Sequence, residues 1–185
     1  LQRGQGEANL VLPPVTLAPK GLSIDKITPL AVGLVTNVAG RIEADGRFAW
    51  TSRGMTSSGR LAVKDLAAAT SIAQFAGIEG EVQFADLLAL TTDKPQTLRV
   101  GFLDAGLPLI GGEITYSLAG DGAVRVKSAQ WPFAGGRIGA SDVTIGFSGA
   151  VPDMTFGVDG IDTAQLLKLA NIAGLTGGGR LSGSI

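Results

Sequence analysis

Apolar and polar residues alternate along most of this chain. The alternation is clear in Arg41-Ile42-Glu43-Ala44, Arg60-Leu61-Ala62-Val63-Lys64, Glu81-Val82-Gln83-Phe84, Thr97-Leu98-Arg99-Val100-Gly101-Phe102 and Glu113-Ile114-Thr115-Tyr116-Ser117-Leu118. It returns in Ala123-Val124-Arg125-Val126-Lys127, Val143-Thr144-Ile145-Gly146-Phe147 and Met154-Thr155-Phe156-Gly157-Val158. A period of two sends successive side chains to opposite faces. These segments therefore predict strands with one apolar and one wetted face, as in an antiparallel sheet. The spacing accommodates about ten such strands.

Two segments read instead as short helices. Residues 162–172 carry an aspartate cap, helical apolar spacing and Gly174 just beyond the end. Residues 65–76, DLAAATSIAQFA, form a weaker version closed by Gly77. Each is followed by a glycine-punctuated strand, which predicts a helix–glycine–strand repeat at 65–84 and 162–185. The start is not a methionine and the final RLSGSI stops inside an alternating pattern. Residues 1–185 thus read as one β-rich segment, a fragment of a longer chain.

Turn chemistry predicts register. A three-residue loop at Ala44-Asp45-Gly46 pairs Ile42 with Phe48 and Glu43 with Arg47, keeps each face pure, and sets Gly40 opposite Trp50. The same device at Gly120-Asp121-Gly122 pairs Leu118 with Val124, Tyr116 with Val126, Ser117 with Arg125 and Thr115 with Lys127. Beyond it the apolar face changes parity: Val124 and Val126 are even-numbered, Trp131 and Phe133 odd. Pro132 cannot donate to a ladder, so a bulge or an edge is expected near it. A one-residue bulge between Val126 and Trp131 would return Trp131 and Phe133 to the apolar face. Without the bulge, Trp131 lies on the polar face over Gly111.

Composition removes many chemistries. There is no cysteine and no histidine, which excludes disulfides, thiol nucleophiles, His or Cys metal sites and Ser-His-Asp catalysis. Lysine plus arginine is 15 against 16 acidic residues, a net charge of -1 that gives no electrostatic case for nucleic acid. Charged residues are only 17% while hydrophobic residues are 45%. That leaves more apolar surface than an ordinary soluble domain must bury. No run approaches the ~18 apolar residues of a membrane-spanning helix.

Little else suggests a reactive site. Gly177-Gly178-Gly179-Arg180 follows a helix and opens a strand, the reverse of a phosphate loop, and reads as a helix C-cap and a close-packed bend. Asp142 reads as a strand-edge charge, Asp153 and Asp159 as turn residues and Asp162 as a cap. Arg41, Arg47, Arg53, Arg60, Arg99, Arg125, Arg137 and Arg180 alternate with apolar residues, as on a solvated sheet face. The chain thus predicts no enzyme, no metal and no cofactor. What remains is the apolar face: Ile42, Phe48, Trp50, Leu61, Val63, Val82, Phe84, Leu98, Val100, Phe102, Ile114, Tyr116, Leu118, Val124, Val126, Ile145, Phe147, Phe156 and Val158. Two short helices cannot cover it. Either the sheet folds on itself into a sandwich or barrel, or it curls and leaves an apolar trough.

Several segments in order carry a resemblance: ITPLAVGLVTNVAGRIEADGRFAW (27–50), SSGRLAVKDL (57–66), FAGIEGEVQFADLLAL (75–90), LRVGFLDAGLPLIGGEITYSL (98–118), VRVKSAQWPFAGGRIG (124–139) and VDGIDTAQLLKLANIAGLTGGGRLSGSI (158–185). Their order resembles the C-terminal region of YdbH-type proteins, in the AsmA-like group that includes TamB. The resemblance implies a long protein anchored in the inner membrane of Gram-negative bacteria and crossing the periplasm. It implies stacked strands curled into an apolar groove and phospholipid carried between the two membranes. It also implies a small outer-membrane lipoprotein partner at the C-terminal end. Acyl chains would then contact the apolar set above. An older label for this region, dicarboxylate transport, would demand convergent cations, and here the arginines alternate onto the wet face.

Overall fold

A computed structural model describes residues 4–26, 35–146, 154–170 and 176–184. Its strands are β1 (Gly6–Leu17), β2 (Thr36–Thr51), β3 (Gly54–Ala69), β4 (Gln74–Phe84), β5 (Gln96–Asp104), β6 (Pro108–Leu118), β7 (Ala123–Phe133), β8 (Gly136–Gly146), β9 (Phe156–Asp162) and β10 (Arg180–Ser184). They form one sheet in chain order, each strand antiparallel to its neighbours, and it does not close into a barrel. The mainly β, antiparallel fold expected from the alternation is therefore present, as one sheet rather than a closed barrel. One helix, α1 (Thr163–Leu169), lies between β9 and β10. Asp162 caps it as expected, accepting from the amides of Ala164 and Gln165 at 2.8 and 3.2 Å. None of its residues is fully buried.

The helix expected at 65–76 is a correction. Those residues are the end of β3, a turn and the start of β4. Thr70 makes the turn, its hydroxyl accepting from the amides of Ile72 and Ala73 while its own amide donates to the carbonyl of Ala73. Alanine is a strong helix former, but propensity is worth under about 1 kcal/mol per residue, and pairing with β2 and β5 on either side overrides it. The helix–glycine–strand order is thus not seen at 65–84. Around the second copy, residues 171–175 lie outside the described set.

The hairpin at Ala44-Asp45-Gly46 is a second correction. β2 runs straight through these residues, with Asp45 opposite Arg60 and Gly46 opposite Gly59. A continuous 16-residue strand satisfies more backbone groups than a turn at Asp45-Gly46 would. The chain reverses at Ser52-Arg53 instead, between the paired Thr51 and Gly54. Trp50 accordingly lies over Gly6 of β1, not Gly40. The β6–β7 hairpin follows its expected pairing: Leu118 with Val124, Ser117 with Arg125, Tyr116 with Val126. It departs one step later. Thr115 faces Ser128, because Lys127 is an extra residue in β7.

Lys127 is the bulge that the parity of Trp131 required. It stands opposite Asp142 of β8, which holds a left-handed φ of 55°. After it the inward positions shift from Val126 to Ala129 and Trp131. Trp131 is 5% exposed and packs with Val100, Leu103 and Leu109. Its indole lies over Gly112, where an added Cβ would collide with Nε1.

The same parity switch recurs along other strands. Asp65 of β3 has φ 50°, and the inward residue steps from Val63 to Leu66. On β4, β5 and β6, Gly77, Gly101 and Gly111 occupy one register position, and buried residues step from Val100 to Leu103. Gly77 and Gly111 have φ of 63° and 69°, a conformation that an L side chain rarely adopts. Strict alternation therefore holds only between these points.

Candidate functional site

The sheet's polar face is laced with ion pairs. Arg60 of β3 bridges Glu43 at 3.1 Å, Asp45 at 3.0 Å and Glu81 at 3.0 Å, tying three strands together. The bonds from these carboxylates hold its guanidinium charged, while Gln83 and then Arg60 hold the Glu81 carboxyl below its ordinary range. Arg47 pairs with Glu7 at 2.8 Å and Arg125 with Asp121. These guanidinium groups are engaged with carboxylates around them and do not converge on one anion.

The other face is a ladder of apolar rows. Register places Val15, Ile42, Val63, Gly80, Leu98, Ile114, Ala129 and Ala140 side by side across eight strands. One step along, Leu12, Ala44, Leu61 and Val82 form a second row. Over the first six strands these rows border an open cavity of about 690 Å³. Thr70 contributes the only polar side chain among its described lining residues. From Val82 at the end of the second row across to β8 the face is filled by the protein itself: Val82, Tyr116, Val126 and Val143 are buried together, with Phe84, Leu118 and Val124 against them.

Six residues of the expected apolar set line the cavity: Ile42, Leu61, Val63, Leu98, Val100 and Ile114. Val82, Phe84, Tyr116, Leu118, Val124 and Val126 belong to the filled part instead. Phe48 and Trp50 continue the face of β2 beyond the cavity. Phe102 lies in neither the cavity nor the clusters, because the glycine step hands its place to Leu103. Val158 is half-buried beside Ile138, Ile145 and Phe156 are exposed, and Phe147 lies outside the described residues. Alternation did not find the rest of the wall. Leu10, Leu12 and Leu17 come from β1, Leu66 and Phe75 from the segment read as a helix, and Ile78 from the strand read after it. The parity break at Asp65 hid Leu66, and the glycine row hid Phe75.

Among the described residues two polar side-chain atoms, the Tyr116 hydroxyl and Trp131 Nε1, are buried without a hydrogen-bond partner. Burial pushes the Tyr116 phenol up to about 12, so it stays a neutral O–H donor near neutral pH. Among the described residues there is no group of three or more Asp or Glu able to hold a metal ion. No described helix is long and apolar enough to cross a membrane.

An open antiparallel sheet with one ion-paired face and one apolar, cavity-bearing face defines a class of β proteins with two-sided, amphipathic sheets. The chain belongs to the YdbH-like family, described as intermembrane phospholipid transport protein YdbH, whose model matches residues 1–185. No curated protein and no solved structure matches it.

Proposed function

We propose that the apolar cavity holds phospholipid acyl chains, and that the chain is a non-enzymatic segment of a conduit carrying phospholipids between inner and outer membranes. The observation that carries this is the cavity itself, about 690 Å³ bordered by aliphatic and aromatic side chains across six strands. A small polar solute finds almost no partner there. An acyl chain gains roughly 25 cal/mol for each Å² of apolar surface removed from water. The headgroup stays at the open side, so no polar pocket is needed for it. A periplasmic setting, an inner-membrane anchor on the full-length protein and a small outer-membrane lipoprotein partner rest on the family resemblance alone.

Photo-crosslinking tests the placement. A photoreactive residue at Ile78, on the cavity wall, is expected to capture labelled phospholipid, and one at Arg99, on the polar face, is not. Equal capture at both positions overturns the reading. A second reading has its own observation: among the described residues the outer edges of β1 and β10 are unpaired, and β10 is exposed throughout. Such edges suit strand addition by a partner in outer-membrane assembly. Protection of β10 amides by a partner, with no lipid captured at Ile78, would favour it.

A further inference from the structure

The apolar face does not end where the cavity ends. Ala44 and Leu61 border the cavity, and two residues further along the same face stand Gly46 and Gly59, paired with each other. Beyond them come Phe48 and then Trp50. Over the two glycines sits a side chain from elsewhere, Leu87, in the connection between β4 and β5. A Cβ on Gly46 would lie 2.9 Å from Leu87 Cδ1, and one on Gly59 2.6 Å from it. The missing side chains of Gly46 and Gly59 are thus the socket that Leu87 fills.

The connection is latched at both ends. Ser57 of β3, 7% exposed, donates to Asp86 Oδ1 at 2.6 Å. Its hydroxyl oxygen accepts from the amides of Leu87 and Leu88 at 3.0 and 3.1 Å. Asp86 Oδ1 also accepts from the amides of Leu88 and Ala89. At the other end the Thr92 amide donates to the Leu118 carbonyl, and the Leu118 amide to the Thr92 hydroxyl. Thr91 bridges Ala119. The strap therefore spans from β3 to the end of β6. Its hold on the apolar face is Leu87, while Leu88 beside it is exposed.

We propose that residues 85–92 form a movable stop on the apolar face. Leu87, seated over Gly46 and Gly59, stands between the cavity border at Ala44 and Leu61 and the apolar surface at Phe48 and Trp50, and its withdrawal joins the two. The stop deepens the lipid-carrying reading given above, for which it sets how far an acyl chain runs along β2 and β3. Seating one leucine removes its apolar surface from water, and an entering acyl chain replaces those contacts with others of the same kind.

Three forms of the full chain test it. Leu87→Ala empties the socket. Gly46→Ala fills it from below, meeting only the far end of Leu87 at close range. Ser57→Cys with Asp86→Cys locks the latch by a disulfide in a chain that has no other cysteine. The readouts are binding of an apolar fluorescent dye and exchange of fluorescent phosphatidylethanolamine with phosphatidylethanolamine–phosphatidylglycerol vesicles. Both opened variants are expected to bind several-fold more dye and to exchange lipid several-fold faster. The oxidised disulfide form is expected to exchange more slowly than wild type and to recover on reduction. Unchanged dye binding and exchange in both opened variants, with native melting, overturn the stop. If no form takes up phospholipid while the opened variants still bind more dye, the lipid-carrying reading fails and the stop stands as a closure of the apolar face.

Discussion

Replacing Trp131 with alanine is expected to destabilise the protein by about 3–5 kcal/mol, among the largest effects of any single substitution. The indole is 5% exposed and closes the cluster of Val100, Leu103 and Leu109, with Phe75, Ile78 and Ile114 against it. It also roofs Gly112, so two strands lose their contact surface together. The opposite change attacks the same joint: Gly112→Ala drives a methyl into the indole. In the Trp131→Ala background that clash is gone, so the two changes should be strongly less than additive in chemical denaturation. Gly111→Ala distinguishes the joint from ordinary backbone strain, since Gly111 has open space around it and only its φ of 69° to lose. Its cost should be about 1 kcal/mol and independent of Trp131. Additivity of Gly112→Ala with Trp131→Ala would show that the tryptophan sits elsewhere.

Val63→Asp is expected to strip phospholipid from the protein while leaving the sheet folded. Val63 stands in the middle of the lateral row, lines the cavity and is only half-buried. In the unliganded protein the new carboxylate can therefore remain hydrated. With an acyl chain over it, the charge loses that water. A penalty of at least ~3 kcal/mol for desolvating it corresponds to a ~100-fold loss of bound lipid. Thr97→Asp, on the polar face of β5, is the control and should retain its lipid. Val100 is the wrong place for this test, because at 1% exposure a carboxylate there would unfold the core before it could report on lipid. Extraction and quantitation of phospholipid from the two purified variants decides the matter. Equal lipid in Val63→Asp and wild type would place the cargo off this face.

The sheet was largely legible because one-sided burial imposes period two, and the clean runs around Leu61, Leu98 and Ile114 lie in strands. The Gly120-Asp121-Gly122 turn could be read because both residues flanking its aspartate tolerate positive φ, as Gly120 and Gly122 show. Asp45-Gly46 carried the same local signal and misled. There the aspartate answers Arg60, and the glycine makes room for Leu87, both long-range facts. Parity was the harder problem. Asp65 and Asp142 adopt left-handed conformations inside strands, and nothing local separates them from an aspartate facing water. Pro132 signalled that a bulge was due, yet the extra residue is Lys127, set by the pairs Tyr116–Val126 and Thr115–Ser128 on either side of it. The cavity was only half legible for a related reason. Its wall on β1 comes from a segment whose Pro13-Pro14 interrupts alternation, and its floor at Leu66 and Ile78 lies just past a parity switch.

The central claim is that the apolar face of this sheet is occupied by phospholipid, and native mass spectrometry of the protein prepared without detergent tests it most directly. The account predicts mass adducts matching two-chain phospholipids, lost from Val63→Asp and retained by Thr97→Asp. Bare protein under conditions that keep the fold intact, with the cavity closed and dry, would contradict it.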